Sequence, residues 1–140
     1  MIPTEHFKLN AEPNTDLDTG NLLPVLHQIC HATDKLIQHN SETLIDLNAM
    51  PFAPGEKERL KATLGRGEIS IQLNVLGRSE LYETQYAGVW WIEHYNSNDN
   101  LMAQLIEINW LPAIARSQAE DVHAGLHKMK AFFIQHNGDD

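Results

Sequence analysis

The stretch Gly65–Trp91, GRGEISIQLNVLGRSELYETQYAGVWW, decides the fold of this chain. From Glu68 to Val75, Ile69, Ile71, Leu73 and Val75 alternate with Glu68, Ser70, Gln72 and Asn74. That period of two marks a strand with one apolar and one polar face. Gly77-Arg78 forms a turn into a second strand, Glu80–Tyr86. Gly88 separates this from a third, Val89–Tyr95, and in a strand context it signals a bulge or a close backbone approach. The polar run Asn96–Asn100, NSNDN, is a hairpin loop. Leu101–Trp110 returns as the last strand and stops before Pro112. Short connections between consecutive strands favour an antiparallel meander.

Upstream, apolar residues at Leu22, Leu26, Ile29, Thr33 and Leu36, with Leu23, Cys30 and Ile37 beside them, predict a helix over 22–38. Asn21 serves as its N-cap, and Pro24 is tolerated in the first turn. Cys30 on this stripe reads as a small buried hydrophobe. Glu42–Leu47 is a short strand. Pro51 and Pro54 interrupt regular structure, and a second helix spans 55–64, closed by Gly65. At the C-terminal end Ser117 and Glu120 form a capping box. There Val122, Leu126, Met129 and Phe133 predict a helix with a buried stripe, stopped at Asn137-Gly138. Residues 1–20 carry little apolar periodicity and read as a loosely ordered arm. Residues 21–140 read as one domain. The fold class expected is α+β, an antiparallel meander sheet packed against N- and C-terminal helices as a two-layer sandwich.

Composition bounds the function. A chain of 140 residues, 42% apolar and 21% charged, can bury a core without disulfides or metals. The N-terminus lacks a signal-peptide pattern and no apolar run is long enough to span a bilayer. Cys30 is the single cysteine, which suits a reducing compartment, so a cytoplasmic location is expected. A formal charge of −9 with scattered basic residues argues against nucleic acid as partner and makes a basic protein or peptide more natural.

Few residues point to chemistry. His27, His31 and Asp34 share a helix face at i, i+4 and i+7, and His123 and His127 repeat the pair spacing. Such pairs bind a transition metal only with a further ligand from elsewhere, so a polar helix face is the favoured reading and no metal site is assigned. Nucleophile elbows, phosphate-cradling loops and HExxH sequences are absent. Glu83, Glu93 and Glu107 fall on neighbouring strands, but acid/base work would require a raised pKa in an apolar pocket. No catalytic residue and no cofactor is expected. Trp90 and Trp91 are adjacent on a strand and point to opposite faces. Either both are structural, or one is presented on a surface beside Tyr82, Glu83 and Tyr86 that touches a partner.

The motif GRGEISIQL, then ETQYAGVWWIEHY, then INWLP, resembles the C-terminal conserved region of the HupH/HyaF-type hydrogenase expression/formation proteins. The matching positions are Gly65, Gly67, Glu68, Glu83, Thr84, Gly88, Val89 and Trp90. The lead-in IDLNAMPFAPGEKERLKATLG is similar too, so the likeness runs from about Leu44 to Val122. The resemblance implies an accessory protein for maturation of an uptake nickel–iron hydrogenase. It also implies a dedicated chaperone of the iron–sulfur small subunit, holding it until cofactor assembly and export. Larger relatives carry the region twice; this chain has one copy. The family offers no catalytic residues to carry over, and Gly67, Glu68, Thr84, Gly88 and Val89 are expected to be structural. The family's client carries a basic twin-arginine export signal, which an acidic surface would attract. The alternative is a metal-handling accessory protein using the helix-borne histidines.

Overall fold

The computed structural model describes residues 22–74 and 76–137. The expected arm over 1–20, the Asn21 cap, the strand end at Val75 and the stop at Gly138 fall outside the described residues. The chain divides into two compact units, Met1–Trp110 and Leu111–Asp140.

Among its described residues, the first unit is a five-stranded antiparallel sheet with two α-helices. Its elements are α1 (Leu22–His39), β1 (Thr43–Asp46), α2 (Glu56–Leu64), β2 (Ser70–Asn74), β3 (Arg78–Glu83), β4 (Val89–Tyr95) and β5 (Leu101–Ile108). The strand order is β1-β5-β4-β3-β2, so β2 to β5 form the expected meander and β1 is added on the far side of β5. One cross-strand row, Tyr82–Trp91–Ile106–Ile45, runs through four strands. It packs with Val25, Ile29, Ala32 and Leu36 of α1 and Leu60 and Leu64 of α2 into a single apolar core. The adjacent row on the opposite face reads Glu83–Trp90–Glu107–Leu44.

The helix ends follow from local chemistry. Asn40 takes a left-handed φ of 57° and its N–H bonds to the Leu36 carbonyl at 2.9 Å, which closes α1. Glu56 folds back at the start of α2. Its carboxylate accepts the Ala53 N–H at 2.6 Å while its own N–H bonds to the Ala53 carbonyl at 3.0 Å, and the side chain is buried. Gly65 ends α2 with φ 67° and an N–H bond to Lys61, as expected.

Two expectations for this unit need correction. The contact face of α1 is Val25, Ile29, Ala32 and Leu36. Cys30, Leu23 and Ile37 are exposed. The helix is apolar around more of its circumference than the sheet covers, and periodicity alone does not choose the covered part. The second meander strand runs 78–83 rather than 80–86, because residues 84–88 leave the sheet as a turn.

The second unit holds a short 3-10 turn, Ala113–Ala115, and α3 (Ala119–Asn137). Gln118, not Ser117, begins the helix, its carbonyl accepting the N–H groups of Asp121 and Val122 at 3.0 Å. The stripe Val122, Leu126, Met129 and Phe133 is present but exposed rather than buried. Its spacing fixes which residues share a face, not what that face meets. With an open antiparallel sheet and helices at both ends of the chain, the fold is α+β.

Candidate functional site

The segment that follows β3, Thr84–Gly88, is a turn built almost wholly from its own polar atoms. Thr84 Oγ1 accepts the Tyr86 N–H at 3.1 Å. The Thr84 N–H bonds to the Val89 carbonyl at 2.8 Å, and the Val89 N–H to that of Tyr86 at 3.0 Å. Across the turn the Glu83 carboxylate accepts the Gly88 N–H at 2.9 Å. Gly88 sits at φ +87°, a conformation that side chains other than glycine's strain to adopt. Gln85 ties the turn to the end of α2, its N–H to the Leu64 carbonyl and its amide to the Thr63 carbonyl, each at 3.0 Å.

Gly67 fits under this turn. Its N–H bonds to the Glu83 carbonyl at 2.7 Å, and a Cβ there would stand 2.7 Å from the Thr84 carbonyl oxygen. Trp90 and Asn109 secure the other side. The Trp90 indole donates to the Asn109 carbonyl at 3.1 Å, and the Asn109 N–H bonds back to the Gly88 carbonyl at 3.0 Å. The Asn109 amide bonds to Glu107 at 2.9 Å and to Glu42 at 3.1 Å. Asn109 is a residue that the sequence reading missed. Its role depends on three partners distant in sequence, and no local pattern announces it.

The turn presents Tyr86, which is 52% exposed, at the mouth of an apolar groove of ≈ 440 Å³. Leu26, Ile29, Cys30, Thr33 and Ile37 of α1 form one wall. Leu64 and Val89 form the other, with Asp34 at the edge. The surplus apolar face of α1, the part the sheet leaves uncovered, therefore faces this groove.

The other sequence candidates divide sharply. Trp90 and Trp91 are each only 1% exposed, so neither tryptophan is presented to a partner. Tyr82 is buried in the core with the Arg66 guanidinium 3.9 Å from its ring. Glu83 and Thr84 are committed to the turn, Val89 to the core, and Glu68 is exposed ahead of β2. Of the five residues expected at a partner surface, Tyr86 is the exposed one.

Glu93 is a poor acid or base. Burial pushes the Glu93 carboxyl up, but donors from Trp91 (3.0 Å), Gln104 (3.1 Å), Tyr95 (2.9 Å) and Lys61 (3.2 Å) outweigh it and hold it at about 2. That is the wrong direction for a general acid or base working near neutrality. His27, His31 and Asp34 are exposed along α1, and His123 and His127 along α3. Among the described residues no three His, Cys, Asp or Glu side chains converge as metal ligands. No helix among the described residues is long and apolar enough to cross a membrane. What the geometry offers is a surface for apolar contact.

Comparison with known proteins gives consistent relatives. A solved structure, the hydrogenase expression protein HupH from Thiobacillus denitrificans ATCC 25259, is 37% identical. It matches 87% of this chain and 98% of that one with a TM-score of 0.76. The hydrogenase expression/formation protein HupQ of Azotobacter chroococcum mcd 1 is 26% identical over 115 residues, 81% of this chain and 40% of its own length. HupH of Rhizobium leguminosarum bv. viciae is 24% identical over 101 residues, 72% of this chain and 36% of its own. The chain thus spans about two fifths of the length of these curated relatives. The family model of the HupH hydrogenase expression protein, C-terminal conserved region, matches residues 19–135. The Gly67–Thr84 approach, the Glu83–Gly88 turn and the Trp90–Asn109 bond are accordingly built from residues inside that match, and the chain belongs to the HupH hydrogenase expression protein family.

Proposed function

We propose that this chain is a non-catalytic, protein-binding factor in the maturation of a nickel–iron hydrogenase. It acts in the cytoplasm and holds the iron–sulfur small subunit before export. The observation that carries the reading is the apolar groove between α1 and the Thr84–Gly88 turn, with Tyr86 at its mouth. An open apolar recess with an aromatic rim is a common anchor point for a partner's side chains. The names of the relatives, all hydrogenase expression or formation proteins, supply the pathway. The hydrogen-bonded state of Glu83 and Glu93 supports a role without proton transfer. The net charge of −9 would speed encounter with a basic signal segment on the client.

The test is co-purification of the chain with the hydrogenase small-subunit precursor. A complex is expected, weakened by Tyr86→Ala and by Ile37→Asp. Absence of a complex, or a complex indifferent to both changes, overturns the assignment of the groove. Binding that ignores both salt and removal of the signal segment removes the electrostatic component alone.

A further inference from the structure

Helix α3 carries an apolar face of its own. Val122, Leu126, Met129, Phe132 and Phe133 are each more than half exposed, and no residue of this 19-residue helix is buried. Most of a helix's stability in a protein comes from packing its apolar face. The spacing of the central stripe is four, three, four: Val122 to Leu126, Leu126 to Met129, Met129 to Phe133. That pattern reads the same in both directions along the helix.

We propose that α3 pairs antiparallel with α3 of a second copy of this chain, forming a two-fold symmetric dimer contact. A dyad midway along the stripe sets Val122 against the other copy's Phe133 and Leu126 against its Met129. Such a contact is self-complementary, as a two-fold interface must be. In this register Gly125 stands opposite the other copy's Lys130, and a Cβ placed on it meets nothing within 4 Å. Five side chains of roughly 200 Å² each, half exposed, offer roughly 500 Å² per copy and roughly 1,000 Å² per pair, which reaches the lower bound of a specific interface.

Sedimentation of the 140-residue chain across a wide concentration range tests this. A dimer is expected, and Leu126→Lys or Met129→Lys is expected to convert it to monomer with unchanged tryptophan fluorescence. The register is read separately by cysteine cross-linking in a Cys30→Ser background. Val122→Cys and Phe133→Cys chains, mixed and oxidised, should link to each other. Neither should link to itself, because like positions stand about 16 Å apart along the helix. A monomer at every concentration, a dimer that survives both lysine substitutions, or self-linking of each single-cysteine chain overturns the proposal. Capture of a different protein on α3 without self-association overturns it too.

Discussion

The Glu83 carboxylate accepts the Gly88 backbone N–H at 2.9 Å, so the first residue of the ETQYAG motif holds the last one in place. The pair closes a five-residue excursion between two strands and fixes where Tyr86 stands. Glu83→Ala should leave that N–H without its acceptor and cost about 1–2 kcal/mol. Glu83→Gln retains an accepting oxygen and should cost less. Urea unfolding followed by tryptophan fluorescence measures both, and equal midpoints for the two variants would contradict the assignment.

Gly67 should tolerate no side chain. The position of its missing Cβ, 2.7 Å from the Thr84 carbonyl oxygen, leaves only backbone to yield. Gly67→Ala is expected to destabilise by about 1–3 kcal/mol. Gly125→Ala, with nothing within 4 Å, serves as the control and should be neutral or slightly stabilising in the monomer. The comparison is a pair of denaturation midpoints.

Glu93 should make the fold sensitive to acid. Its folded carboxyl lies at about 2, below the ordinary 4.5, so the unfolded chain binds the proton more readily. The stability this contributes is fully present above pH 4.5 and is lost as pH falls through about 2. Its size is of the order of 2 kcal/mol. Glu93→Gln should flatten the stability curve between pH 5 and pH 2, whereas a parallel downward offset would mean another group titrates there.

Cys30 should react in the native state. It is exposed on the groove wall, so a thiol reagent should label it without denaturant. A bound small-subunit segment should slow that labelling. Labelling that appears only on unfolding would contradict the placement of the α1 face.

Much of this was legible in the sequence. Alternation from Ile69 to Leu73 located β2, and the turn signals at Gly77 and Asn96–Asn100 located the meander. The helices were legible from spacing, and Gly65 from its place at the end of one. Contacts between distant residues were not. Cys30 and Leu36 both belong to the wide apolar stripe read from spacing, yet only Leu36 joins the core. Alternation places Trp90 and Trp91 on opposite faces but does not say that both faces are covered there. The α3 stripe is an equally regular pattern whose partner lies outside any local window. Asn109 illustrates the same limit among polar residues, since Trp90, Gly88 and Glu42 define its role from afar.

The Thr84–Gly88 turn is held together by residues other than those that wall the groove beside it. Glu83, Thr84 and Gly88 spend their polar groups on one another and on the backbone, and Gly67 lends the turn its floor. One wall of the groove comes instead from Leu26, Cys30 and Ile37 on α1, facing Leu64, Val89 and the turn's own Tyr86. The turn and the α1 wall of the groove are thus written in different segments, and on the proposed reading α1 can be altered while the turn is left untouched.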